Sequence, residues 1–425
     1  MFDLFTFILQ IVVILGVCGA MGALFRRFGQ PRVVGEMVAG ILLGPSLLGH
    51  LSPRFSGFLF PASSLTYLNA LSQIGLIIFM FFVGLTIDLK ELKRHGHAAV
   101  LTSHISITVP FVLGSLLSLY IYPKLSDQSV SFTSFSLFLG AAMATTAFPV
   151  LARILTERNM LKSRLGTIAV ACAAVDDVTG WCVLAYIVVL ARAAPSSSSL
   201  VPRVAGLIVF VMVILFVVRP LLQRFETLYR ERGRLSEMHL TFMLVLALSA
   251  ALCTEYLGVH PLFGAFLFGG AMPKEQNFVR HIRDRLETLA AIVLLPLFFA
   301  FTGLRTSMGL VSGRQMWTYC ALIIAVAALS KLGGSAIGAW LMGMAPAEAI
   351  QLGALMNTRG LMGLVVLNIG LDARIISPAL FSMMVLMALI TTLMTTPLLD
   401  LVNLLTRAKE ENVVAEKKLV ATDVA

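Results

Sequence analysis

Asp176 and Asp177 are the only charged residues between Gly166 and Ala191, within the stretch A-C-A-A-V-D-D-V-T-G-W. A carboxylate at bilayer depth costs ~2.5–3.5 kcal/mol on insertion scales, so an acid retained inside an apolar span marks a functional site by default. Adjacent residues on a helix point about 100° apart. The two side chains therefore cannot both face one neighbour, and one can pair while the other binds. In a low-dielectric site the carboxylates repel each other, and a nearby ammonium offsets one of them. The outcome is a coupled site in which a hard monovalent cation and protons compete for the same oxygens. If only the cation-loaded and the protonated forms cross between inward and outward states, exchange of one for the other becomes obligatory.

The elements that position these acids follow from composition. Of 425 residues, 58% are hydrophobic and 13% charged, which excludes a soluble multidomain protein and indicates an all-α polytopic membrane protein. A span needs roughly 20 apolar residues. Windows of that kind fall at 5–24, 33–49, 65–87, 98–122, 132–152, 166–191, 204–222, 238–257, 259–273, 289–304, 315–343, 348–371 and 375–405, which predicts 13 transmembrane helices over 1–406 and a short tail, 407–425.

The net charge of +10 does not signal nucleic acid, because the basic residues lie between spans, where they set orientation. With the N-terminus outside, inner connections hold Arg26, Arg27 and Arg32; Lys90, Lys93 and Arg94; Arg153, Arg158, Lys162 and Arg164; Arg219, Arg224, Arg230, Arg232 and Arg234; Lys274, Arg280, Arg283 and Arg285; and a tail with Arg407, Lys409, Lys417 and Lys418. Those are 23 residues against 7 outside: Arg54, Lys124, Arg192, Arg203, Arg305, Arg314 and Arg374. The bias predicts N-out, C-in and an odd number of spans. Asp3 before the first apolar run and Arg26–Arg27 after it reverse the charge order of a signal peptide, so the run is expected to remain as a span. The cysteines Cys18, Cys172, Cys182, Cys253 and Cys320 form no C-x-x-C and are expected to pack as small hydrophobes.

Two basic residues, Lys331 and Arg359, belong to neither side. Lys331 lies halfway along its window, too deep to snorkel, and is expected to face a protein or water-lined interior. Two windows are also interrupted. The fifth reads A-M-A-T-T-A-F-P-V-L-A-R, with Thr145, Thr146 and Pro149 at mid-span, and the twelfth reads A-L-M-N-T-R-G-L-M-G, with Asn357, Thr358, Arg359 and Gly360 at similar depth. Either alone is ordinary tolerance of Gly and Pro in a membrane helix. Together they lie seven spans apart, each beside a charged span, as expected of an inverted-repeat transporter whose spans 4–6 correspond to 11–13 and whose discontinuous helices cross near the midplane. Thr145, Thr146, Asn357, Thr358 and the freed carbonyls are the candidate supporting ligands. Arg359 either offsets carbonyl ends or pairs with an acid.

The stretches T-T-A-F-P-V-L-A-R-I-L, A-A-V-D-D-V-T-G-W, H-P-L-F-G-A-F-L-F-G, L-P-L-F-F-A-F-T-G-L-R-T and M-N-T-R-G-L-M-G-L-V-V-L-N-I-G-L resemble the monovalent cation:proton antiporter-2 family, over nearly the whole membrane region. The resemblance implies a thirteen-helix antiporter working as an elevator-type homodimer in the plasma membrane. Its core would take spans 98–191 and 315–405, its dimerisation part 5–87 and 238–304, and its linker span 204–222. It implies that Asp177 carries the monovalent cation and the proton, and that Asp176 ion-pairs with Lys331 when no cation is bound. The Asp-Asp form with an intramembrane lysine resembles electrogenic Na+/H+ members, with K+ or Li+ as further candidate cations. No cofactor is implied. The nucleotide-binding C-terminal domain of the glutathione-gated potassium efflux members does not occur in this sequence, so their regulation is not expected.

Other polar residues have plainer readings. Glu255 could line an entrance or simply end a helix, Glu36 reads as interfacial, and His104 and His260 as hydrogen-bonded structural histidines. A proton-coupled exporter of an organic solute or another metal ion on the same fold is the rival function. An intramembrane aspartyl protease needs its carboxylates facing each other from different helices, which neighbours on one helix cannot supply, and a passive channel needs neither the buried lysine nor the paired acids.

Overall fold

The computed structural model describes residues 3–86, 96–127, 130–161, 163–192, 200–232 and 237–422. Lys90, Lys93, Arg94, Lys162 and Arg234, counted above as inner charges, lie outside the described residues. All regular structure among the described residues is helical.

The longer helices in chain order are α1 (Leu4–Arg27), α2 (Arg32–Leu43), α3 (Ala62–Thr86), α4 (Gly96–Leu125), α5 (Phe132–Ala144), α6 (Phe148–Glu157), α7 (Arg164–Arg192), α8 (Leu200–Val213), α9 (Arg219–Arg232), α10 (Glu237–Tyr256), α11 (Pro261–Ala271), α12 (Gln276–Leu289), α13 (Leu295–Leu304), α14 (Gly313–Leu341), α15 (Pro346–Met356), α16 (Leu361–Asp372) and α17 (Pro378–Thr422). Every predicted window coincides with one of them or with a broken pair. By length and apolarity 11 helices among the described residues can cross a membrane, or 12 if the bent pair α15–α16 is one span, so the predicted 13 is not reached by that measure. The shortfall is the ninth window, whose helix α11 has 11 residues. At about 1.5 Å per residue such a helix covers only half of a bilayer's hydrocarbon thickness.

Two interruptions position the site. Helices α5 and α6 are separated by Thr145–Ala147, where Pro149 has no N–H to give the Thr145 carbonyl four residues earlier. Helices α15 and α16 are separated by Asn357–Gly360 and bend by 45°. Thr392 of α17 holds this second break open, because its hydroxyl accepts from Arg359 N at 3.0 Å and donates to Arg359 O at 2.5 Å, replacing bonds a continuous helix would have made. The order long helix, broken span, long helix thus occurs twice, as α4, α5–α6, α7 and as α14, α15–α16, α17. The breaks meet: Ala147 N donates to Thr358 O at 3.0 Å.

Outside this region, backbones approach through small residues, as expected where lipid supplies no hydrophobic drive between helices. A Cβ on Gly303 of α13 would overlap the backbone of Gly40 in α2.

Candidate ion-binding site

Helix α5 ends at the crossing, leaving the carbonyls of its last turn without helix partners. Two buried cations take them. The Arg359 guanidinium donates from Nη1 to Ala142 O at 2.8 Å and Thr145 O at 3.1 Å, and from Nη2 to Met143 O. Lys331 Nζ donates to Ala144 O at 2.6 Å. Arg359 and Lys331 have relative exposures of 1% and 0%, so these carbonyl dipoles and the neighbouring acid Asp176 offset their charges. Of the two expectations for Arg359, the carbonyl ends are its partners.

Lys331 also donates to Asp176 Oδ2 at 2.7 Å and to Ser106 O at 3.0 Å. Asp176 is fully engaged, since Oδ1 accepts from Ser103 Oγ at 2.5 Å and Oδ2 accepts from Thr146 Oγ1 at 2.7 Å. Thr146 further lies 3.2 Å from Met356 O, so one hydroxyl touches both broken spans and the acid. A narrow cleft lined by Ile107, Phe111, Ala141, Thr145, Gly180 and Val183 reaches Asp176.

Asp177 differs in kind. It is 1% exposed, and neither carboxylate oxygen has a side-chain partner among the described residues; only the backbone N–H of Phe148, the first residue of α6, is turned towards it. Neighbours on one helix thus have opposite situations, as the 100° offset requires. Asn357, fully buried, has its Oδ1 unpartnered while Nδ2 donates to Thr391 O at 3.4 Å. The Thr145 and Thr358 hydroxyls, each just past a helix end, donate back to Ala142 O at 3.2 Å and Leu355 O at 2.7 Å, and Thr358 Oγ1 also lies 3.3 Å from Thr395 Oγ1.

The structure brings together Asp176, Lys331 and Thr146, and sets Arg359 one layer away on the α5 carbonyls. Ser103, Ser106 and Ser335, not singled out in the sequence, complete the polar seam: Ser106 and Ser335 share a 2.7 Å hydrogen bond between α4 and α14. The readable signal was spacing, as Ser103 and Ser106 lie on one face of α4 and Ser335 one turn from Lys331 on α14. Glu255 is exposed at a helix end, and Glu36 is buried against Arg32 at 2.7 Å. His104 Nδ1 lies 2.7 Å from Val100 O, and His260 caps α11. Among the described residues no cluster of three or more His, Cys, Asp or Glu is placed to hold a resident metal ion.

The chain as a whole has counterparts among known proteins. The family model described as "Sodium/hydrogen exchanger, transmembrane" matches residues 11–401. The chain belongs to the sodium/hydrogen exchanger family. Membership makes it a multi-pass membrane protein whose functional class is cation/proton antiport. Within the family it is 42% identical over 390 residues to the Na(+)/H(+) antiporter NhaS4 of Synechocystis, covering 92% of this chain and 95% of that protein. It is 41% identical to cation/H(+) antiporter 17 of Arabidopsis thaliana, over 92% of this chain and 47% of the relative. It is 33% identical to K(+)/H(+) antiporter 1 of Saccharomyces cerevisiae, over 93% of this chain and 46% of the relative. The chain therefore spans about half the length of these plant and yeast exchangers. The fold is shared with the sodium proton antiporter NhaP1 of Methanocaldococcus jannaschii, with a TM-score of 0.68, 15% identical residues, and coverage of 95% of this chain and 99% of that one.

Proposed function

We propose that this chain exchanges a monovalent cation, with Na+ favoured and K+ or Li+ as further substrates, for protons by alternating access. The observation that carries the reading is the contrast between Asp176, whose oxygens are all engaged by neighbouring side chains, and Asp177, which is equally buried with no side-chain partner. A buried carboxylate without a partner is costly unless something occupies it in turn. A proton neutralises it in one half of the cycle and a cation in the other. Asn357 Oδ1, the Thr145 and Thr358 oxygens and the carbonyls at the two breaks supply further ligands of the hard-oxygen type that Na+ and K+ take.

Asp176 and Lys331 form the charge-balancing pair. When the cation draws on both carboxylates, the Lys331 ammonium loses its counter-ion and releases its proton, so that more than one proton moves per cation and transport is electrogenic. The rigid element is α4–α7 with α14–α17, crossed at the breaks. It moves as an elevator against a scaffold of α1–α3 and α10–α13, with α8–α9 as linker, in a homodimer of the plasma membrane with N-terminus outside and C-terminus inside. The names of the Synechocystis and yeast relatives, one a Na+ and the other a K+ exchanger, support a monovalent alkali cation.

The test is exchange in proteoliposomes with Na+, K+ and Li+ offered separately against an imposed proton gradient and read with a pH-sensitive dye. Dissipation by Na+ at least, enhanced by a membrane potential of the right sign, is expected. If none of the three dissipates the gradient and an organic cation does, the rival exporter function replaces this one.

A further inference from the structure

Helix α4 carries two prolines, Pro110 and Pro123. Pro123 is exposed near the helix end, whereas Pro110 is buried at mid-helix. A proline inside a helix withholds the N–H that the carbonyl four residues earlier would have accepted. For Pro110 that carbonyl belongs to Ser106, the third acceptor of the Lys331 ammonium at 3.0 Å. The three carbonyl and carboxylate acceptors of Lys331 thus come from three helices, and the two carbonyls are both released by interruptions of their own helix: Ala144 O by the end of α5, Ser106 O by Pro110. An ammonium has three N–H donors, and here each has an acceptor.

We infer that Pro110 is a positioning residue of the exchange site: by freeing the Ser106 carbonyl it gives Lys331 its third acceptor and so keeps the ammonium charged and aimed at Asp176. The fourth span therefore belongs to the machinery through its backbone as well as through the Ser103 hydroxyl on Asp176. Pro110 never touches the reacting oxygens and acts through Lys331. The ionisable or charged groups facing Lys331 are Asp176, Asp177 and Cys172 on α7 and Arg359 at the second break. Among the described side chains helices α4 and α5 contribute none towards it, His104 of α4 being exposed. Loss of one acceptor consequently falls on the ammonium itself, with no other buried acid on α4 or α5 to compensate.

This inference rests on the reading of Asp176 and Lys331 as the charge-balancing pair. The experiment compares pH profiles of Na+-driven exchange in proteoliposomes for wild type, Pro110→Ala, Pro123→Ala and Lys331→Ala. Pro110→Ala restores an N–H that competes with Lys331 for the Ser106 carbonyl and draws it back towards the helix axis, and the weakened charge-assisted hydrogen bond should move the alkaline limb of the profile to lower pH by up to about one unit. Pro123→Ala should leave the limb in place. A Pro110→Ala protein that reconstitutes normally with the wild-type alkaline limb overturns the inference, as does an equal shift in Pro123→Ala, which would mark a general effect of straightening α4. Should Pro110→Ala not assemble, Pro110→Gly restores the same N–H without a side chain and is read by the same two criteria. Wild-type exchange and pH profile in Lys331→Ala would instead remove the underlying pair, whatever Pro110→Ala does.

Discussion

Lys331 Nζ and Asp176 Oδ2 lie 2.7 Å apart with relative side-chain exposures of 0% and 1%, an ion pair joining α14 to α7 in the interior of a membrane protein. Taken alone such a pair is weak support for stability, because desolvating two charges cancels most of their attraction. Its setting changes the balance. Ser103, Thr146, Ser106 O and Ala144 O complete the hydrogen bonding of both partners, so that the pair is fully satisfied without reference to Asp177.

Asp177→Asn should therefore abolish exchange without cost to folding. The carboxylate holds no side-chain partner, and the amide keeps an oxygen that can face the Phe148 N–H. Purified Asp177→Asn is expected to unfold at or above the wild-type temperature in detergent while showing no Na+-dependent dissipation of a proton gradient. Retained exchange would take the carrier role away from Asp177.

Asp176→Asn and Lys331→Ala are expected to behave oppositely, each lowering the unfolding temperature, because removal of one partner strands the other as an uncompensated buried charge at about 3–5 kcal/mol. The double variant should cost clearly less than the sum of the two, a coupling visible in a double-mutant cycle of thermal unfolding. Whatever exchange survives should be electroneutral, so its rate under clamped potentials should not depend on voltage.

Competition for one carboxylate fixes a sign for pH. Protons bind where the cation binds, so lowering pH should raise the apparent KM for the cation, by up to about tenfold per pH unit for a single competing proton, with little change in the maximal rate. Initial rates over a range of cation concentrations at several pH values would check this. A maximal rate that collapses at low pH while KM stays fixed would indicate that the proton acts elsewhere.

The positions of the acids, the buried lysine and the two breaks were all legible in the sequence, because charge and helix-breaking residues stand out against an apolar background. That background marked Lys331, Asp176 and Thr146 as residues to explain and led to the expectation that the two broken helices cross; in the structure Lys331 lies on Asp176 and Ala147 N on Thr358 O. Two things were not legible. Arg359 had equal claims on an acid or on carbonyl ends, since pattern alone does not tell which helix end a guanidinium faces. Ser103 and Ser106 are of a residue type common throughout the chain, and only the crossing of α4 over α7 and α14 gives them partners. The count of 13 is not reached by helix length for a related reason: windows of hydropathy measure composition, and α11 is apolar throughout yet spans only 11 residues.

Gly303 and Gly40 carry a prediction outside the site. With their backbones in contact, a Cβ on Gly303 would overlap the Gly40 carbonyl group, and rigid backbone cannot yield as a side-chain tip would. Gly303→Ala should destabilise the α2–α13 crossing by about 1–3 kcal/mol, read as a lower unfolding temperature. Gly333→Ala, where a Cβ meets nothing within 4 Å, is the matched control and should be neutral.

Arg359 should tolerate no conservative exchange. Its planar fork reaches three carbonyls of α5, Ala142, Met143 and Thr145, and no acid among the described residues pairs with it. Lysine keeps the charge, but it has a compact ammonium with no fork to span carbonyls on successive residues. Arg359→Lys and Arg359→Gln are therefore both expected to lower the unfolding temperature, Gln more. Each leaves orphaned carbonyls at a buried helix end, at about 1–3 kcal/mol for each unsatisfied group. Exchange by the protein that does fold should retain its cation preference, because the guanidinium is committed to the α5 carbonyls. A changed order of Na+, K+ and Li+ in Arg359→Lys would place the guanidinium in the ion path, and the carbonyl-capping role would then be secondary.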